Sequence, residues 1–206
     1  MRSGIAKHRI GKMLRLTPVA GVGWTEHEFD WAPSDATFEW VELDANVSNA
    51  DIARVVAALA SYNSVASSGS LEATVRALER ADCLILPGGL MIHTDALEIP
   101  PSCCCGLESW REWYAVAPEG SSPWLGHSPS PRVECREDRA VIWADSERGN
   151  QSSNVSVAYS DIDDALRSTH VALVAFTERL ANWLSTHSPR GASLSRCFAI
   201  AFNVSA

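Results

Sequence analysis

The hydrophobic positions of this chain switch between two spacings, and the switches predict its elements. Over residues 48–62, SNADIARVVAALASY, the residues Ile52, Val55, Val56 and Leu59 recur three and four apart, as on one helical face. Ser48 or Asn49 can cap that helix, and Asp51 brings a negative charge to its first turn. Ser67-Ser68-Gly69 breaks the chain before a second stripe, Leu71, Val75 and Leu78, which predicts a helix over 71–80. The longest stripe joins Ile162, Leu166, Leu173, Phe176, Leu180, Trp183 and Leu184, and predicts a helix from Asp161 to about Thr186. Ser160 with Asp163 gives it a capping-box-like start, and Pro189-Arg190-Gly191 ends it.

Other segments carry strand-like patterns. Phe38, Trp40, Val41 and Leu43 mark a strand in TFEWVELDA. Residues 82–100 read as two short strands around a turn at Pro87-Gly88-Gly89, then a third strand ending at Pro100. Residues 132–145 predict a hairpin with Glu137-Asp138 near its tip, and NVSVAYS a further strand. CFAIAFNV, 197–204, alternates weakly and is expected to return as the last strand. Between these lie an irregular lead-in, 17–37, a short helix from Gly106 to Val116, and a proline- and serine-rich loop, 117–131. The expected fold class is therefore α+β, one domain over 17–206. In it a mixed or largely antiparallel sheet packs against a long C-terminal helix and two shorter helices.

Composition narrows the classes. At 206 residues, 46% hydrophobic and 20% charged, the chain is long enough for one core and too apolar for global disorder. Its charge is uneven. Residues 1–16 carry Arg2, Lys7, Arg9, Lys12 and Arg15 and no acid, whereas the rest holds 12 basic against 25 acidic residues. The basic tail, with no interleaved aromatic, is read as a frayed or non-native leader rather than a nucleic-acid arm. The acidic body repels nucleic acid and anionic membrane and suits a basic protein partner. No run approaches the ~18 apolar residues of a membrane span, and no apolar core precedes Thr17 as a secretory signal requires. Six cysteines, half of them adjacent, do not make a disulfide framework, so the expected compartment is the cytoplasm.

The densest chemistry is IPPSCCCGLESWREW, Ile99 to Trp113. In an extended segment, neighbouring side chains point to opposite sides. Cys103 and Cys105 would then share a side, and His93, His127 or Cys135 could complete a zinc shell. A helix beginning near Gly106 would instead stabilise a thiolate at its N-terminus, with His127 and Asp145 available as base and orienting acid. The third alternative is packing, since cysteine is among the most buried residue types, and it is the one preferred from sequence.

Trp110 and Trp113, three apart, are expected to pack that helix onto the sheet, leaving Glu108 and Glu112 on its outer face. The loop beyond presents Trp124 and His127, stiffened by Pro123 and Pro129. Glu108, Glu112, Trp124 and His127 are thus the candidate partner-binding residues. His170 reads as a satisfied core histidine. Pro87-Gly88-Gly89 lacks the following helix a phosphate loop needs. The chain has no G-x-S-x-G, H-E-x-x-H, P-loop or EF-hand sequence, so no catalytic residue is assigned.

The segment LPGGLMIH…IPPSCCCGLESWREW…WLGHSPSP…VIWAD, 86–145, resembles an uncharacterised bacterial protein family, and the likeness extends loosely to ALVAFTERLANWL. Its shared residues are Gly88, Gly89, Pro100, Cys103, Cys104, Gly106, Leu107, Trp110, Trp113, Trp124, Gly126 and His127. The resemblance implies no activity. In size and acidity the chain is similar in class to immunity proteins that neutralise toxins. The expectation is a small acidic cytosolic binding protein, immunity-like, that blocks a basic partner surface without a cofactor. The alternative is a zinc-binding or cysteine-dependent enzyme centred on Cys103–Cys105, with His93 and His127 as the candidate histidine ligands.

Overall fold

An inner strand of the main sheet has the sequence RLTPVAGV, with a proline and a glycine inside it. A computed structural model describes residues 13–23, 29–33, 37–65 and 70–204. In it β1 (Arg15–Val22) pairs antiparallel with β2 (Glu39–Glu42) on one side and with β3 (Gly88–His93) on the other. β4 (Glu98–Ile99) extends the sheet beyond β3. Every residue of β1 after Arg15 is buried, because α1 (Asn49–Tyr62) and α4 (Tyr159–His187) both pack on it. A strand covered this way reads as a continuous apolar run, and Pro18 and Gly21 disguised it as a loop. Pro18 loses no carbonyl bond, since its oxygen accepts from Leu43 N at 2.8 Å.

The expected tail boundary after residue 16 therefore moves. Leu14 and Leu16 belong to the core, and a cut at 16 would split β1. Arg2, Lys7, Arg9 and Lys12, with Trp24 and the break at 67–69, lie outside the described residues.

The glycine pair is not a turn. Gly88 and Gly89 lie inside β3, opposite Ala20 and Val19, with φ of 150° and 141°. A Cβ on Gly88 would lie 2.1 Å from the carbonyl oxygen of Val19, so only glycine lets β3 approach β1 here.

The helices follow their stripes. Ser48 Oγ accepts from Asp51 N at 3.0 Å at the start of α1. Ser70 caps α2, which covers Leu71–Leu78, two residues short of the expected end. At α4 the capping carboxylate is Asp161, accepting from Ala158 N at 3.3 Å, not Asp163. The expected last strand is instead α5 (Gly191–Ala201). Leu194, Phe198 and Phe202 repeat every four residues and are all buried, with Phe198 5.4 Å from the ring of Phe176 on α4. Two neighbouring phenylalanines four apart are helical spacing, which an eight-residue window reads poorly.

Residues Leu107–Ala115 form a 3-10 helix that runs into α3 (Val116–Glu119). Trp110 and Trp113 are buried, and Trp110 Nε1 donates to the Phe202 carbonyl at 2.8 Å, which ties this helix to α5. β5 (Arg132–Cys135), β6 (Arg139–Trp143) and β7 (Asn154–Ala158) form a second antiparallel sheet in place of a single larger one. The fold is α+β: two antiparallel sheets, the long helix α4 on the first, and one buried cluster drawing on both. Among the described residues, no helix is long and apolar enough to cross a membrane.

Candidate metal centre

The three cysteines occupy a tight turn rather than an extended segment. Cys105 N donates to the Ser102 carbonyl at 3.3 Å, and Cys104, inside the turn, has a φ of 60°. That left-handed conformation is uncommon for a residue with a Cβ and costs free energy. It also breaks the strict alternation on which the pairing of Cys103 with Cys105 rested.

The turn is held from both sides. Gly88 N donates to the Cys105 carbonyl at 3.2 Å, which hangs the turn on the start of β3. On the other side Ser102 N donates to Leu125 O at 3.3 Å and His127 N to Cys103 O at 3.2 Å. Cys103 and His127 thereby form an isolated antiparallel bridge. Gly126 makes it feasible: with φ 83°, a Cβ there would lie 2.5 Å from the Cys103 carbonyl oxygen.

This scaffold sets three soft donors side by side. Cys103 Sγ lies 3.1 Å from His127 Nδ1 and 2.9 Å from the His127 carbonyl oxygen, to which its S–H can donate. The Cys104 thiol joins them, so that one donor atom from each of Cys103, Cys104 and His127 falls within 4.8 Å of the others. All three residues are exposed. The packing preference of the sequence reading is thus overturned for Cys103 and Cys104.

Cys105 goes the other way. It is half-buried, a Cβ on Gly89 would come within 3.0 Å of its sulfur, and its thiol faces the Trp124 carbonyl at 3.8 Å. Burial, followed by the charges of Glu108 and Glu112, pushes that thiol up to about 12. Its sulfur is not among the donor atoms that lie within 4.8 Å of one another. His93 is also removed from the candidate shell. It lies four residues along β3 from Gly89, about 13 Å at strand spacing, and its Nδ1 meets Glu98 Oε2 at 3.2 Å. Cys135 Sγ faces the Val116 carbonyl at 3.3 Å.

The nucleophile reading keeps its thiol–imidazole contact and loses its orienting acid. Surrounding protein, ahead of the adjacent Cys104 thiol, raises the pKa of Cys103 although its side chain is exposed; the His127 backbone acts against the shift. A catalytic thiol needs the opposite. Asp145, the expected orienting acid, spends its Oδ1 on the N–H groups of Ser130 and Glu147 at 3.3 and 3.2 Å, and pairs with Arg148.

The four partner-binding candidates sit around the turn, but not as one free acidic face. Trp124 is 49% exposed, and its ring lies 6.2 Å from that of His127. Its Nε1 donates to the Cys104 carbonyl at 2.9 Å and its backbone N–H to Glu112 Oε2 at 2.6 Å. Glu112 is therefore engaged in holding the loop. Glu108 is half-buried, with Oε2 lacking a partner among the described residues. Burial raises its pKa, opposed by backbone N–H groups of Glu108 and Leu86. Nor is His170 satisfied, since its buried Nε2 has no partner among the described residues.

A groove of about 320 Å3 runs beside the turn. Gly21 and Gly88 contribute no side chain to it, Phe38, Trp40 and Tyr62 wall it, and Pro101 to Cys105 close one side. The aromatic residues come from the start of β2, with Phe38 just before it, and from α1, far from the cysteines in sequence, so no local pattern announced them. Cys104 was missed as a ligand because left-handed backbone at a non-glycine residue has no sequence signature. Comparison with family models, curated proteins and solved structures finds no match for this chain.

Proposed function

We propose that this protein binds a thiophilic divalent metal ion, zinc foremost, through Cys103 Sγ, Cys104 Sγ and His127 Nδ1. The observation that carries this reading is the clustering of those three donors within 4.8 Å. Two thiolates on one tetrahedral zinc stand about 3.8 Å apart, given Zn–S bonds of about 2.3 Å, so the cluster closes on an ion with small movements. A cysteine–cysteine–histidine set leaves the fourth position open, the pattern of zinc sites that engage an outside ligand. Six free thiols are in keeping with a reducing compartment, in which such a site stays loaded.

Metal analysis of the purified protein tests it. About one equivalent of zinc is expected, lost in Cys104→Ser and His127→Ala and retained in Cys105→Ser. Retention in Cys104→Ser, or no metal in the wild type after zinc loading, overturns it.

A second reading is supported by Trp124. A tryptophan half exposed yet fixed by one indole and one backbone hydrogen bond is pre-organised as an interface anchor, and the acidic body suits a basic protein partner. In this reading the protein is immunity-like. Retention of a basic protein at low salt, lost at high salt and in Trp124→Ala, is its expected signature; no retention at low salt removes it.

A further inference from the structure

The groove and the donor cluster share residues. Cys103 and Cys104, two of the three proposed ligands, belong to the wall of the cavity lined by Phe38, Trp40 and Tyr62. We infer that the groove holds the body of a small uncharged aromatic ligand whose neutral nitrogen donor takes the metal's fourth position. This inference rests on the metal reading above.

Size, charge and chemistry each narrow the occupant. The volume of about 320 Å3 falls at the lower end of small-molecule sites and suits one or two rings. None of the lining residues is an aspartate, glutamate, lysine or arginine, so the groove offers a charged tail no counter-ion. Ser102, nine-tenths buried in the wall, has a hydroxyl with no hydrogen-bond partner among the described residues. It is a buried, uncommitted polar group in an otherwise largely apolar wall, and it suits a ligand with few polar atoms.

The head is limited by electrostatics. Two thiolates neutralise a divalent ion, and the groove lining brings no lysine or arginine to balance a further charge. An anionic donor would leave a net negative centre in a poorly solvated groove. Carboxylate and phosphate heads are therefore disfavoured. A heteroaromatic nitrogen binds without releasing a proton and leaves the centre neutral. Phe38, 38% exposed, and Tyr62, 52% exposed, have ring surface left to cover.

Cobalt(II) loading tests both levels at once, because cobalt bound to thiolate gives a charge-transfer band that reports its coordination. The probes are pyridine, 4-phenylpyridine and 4-phenylbenzoate, titrated into the cobalt-loaded full-length protein. 4-Phenylpyridine is expected to shift the band and to bind at least about tenfold more tightly than pyridine, since only its second ring reaches the apolar walls. The benzoate is expected to leave the band unchanged. In Phe38→Ala/Tyr62→Ala, two exposed wall positions that supply no metal ligand, 4-phenylpyridine should fall to the level of pyridine. Equal affinity of the two pyridines, or a stronger response to the benzoate, overturns the inference while the metal centre stands. Absence of any thiolate–cobalt band overturns the metal centre itself, and this inference with it.

Discussion

The indole N–H of Trp124 donates to the carbonyl of Cys104 at 2.9 Å, across 20 residues of sequence. Trp124 is thus a strut for the cysteine turn as well as an exposed ring. Trp124→Phe keeps an aromatic body and removes the donor. It is expected to cost about 1 kcal/mol of stability, as the loss of one hydrogen bond does, and to weaken zinc binding several-fold. Trp110→Ala, by contrast, empties a buried site and should cost about 3–5 kcal/mol. Urea melts separate the two. Equal losses would make Trp124 a core residue.

Cys104 tests whether its conformation is tolerated for the sake of its thiol. Its φ of 60° penalises any side chain by about 1–2 kcal/mol relative to glycine, while glycine loses about 0.5–1 kcal/mol through the unfolded chain. With metal stripped from all three proteins, Cys104→Gly should therefore melt at or slightly above the wild type, and Cys104→Ala should not exceed it. Both should lose metal binding. A glycine variant less stable than the alanine variant would contradict the left-handed turn.

Glu108 gives a pH signature. Its folded-state pKa is raised above the ordinary 4.5 by burial, so the fold favours the neutral acid. That contribution is fully present below 4.5 and is lost as pH rises through the raised value. Glu108→Gln cannot ionise. It should melt higher than the wild type near pH 7, and the gain should vanish near pH 4. Thermal melts at both pH values decide it; a gain that persists in acid points to something other than charge.

Cys105 should be the slow thiol of the cluster. With its pKa pushed up to about 12, it carries very little thiolate at mild alkaline pH. Alkylation at about pH 9, followed by peptide mass spectrometry, should modify it on the order of a hundredfold more slowly than a free cysteine, because the thiolate is the nucleophile. Rapid labelling of Cys105 in the folded protein would contradict its burial.

The elements legible in the sequence were those whose signal is local. The stripes of α1, α2 and α4 and the hairpin of β5 and β6 face one core side, so periodicity reveals them. β1 was hidden because its burial depends on α1 and α4, and α5 because Phe198 and Phe202 owe their meaning to Phe176. At the site, Cys103 and His127 were in view as residue types. Their pairing rests on Gly126 and on two loops meeting, the choice of Cys104 over Cys105 on one dihedral angle, and the groove on residues of β2 and α1.

The bridge between Cys103 and His127 also has a consequence for how the chain assembles. Cys103 and Cys104 are neighbours in any conformation, but the imidazole arrives across 24 residues, and the turn that receives it hangs from β3, whose register sets Gly88 against Ala20. Closing those loops costs entropy that only the completed sheet repays. The thiol–imidazole contact is therefore expected to part when β1 and β3 part, so that it reports from outside the sheet on whether the sheet is closed.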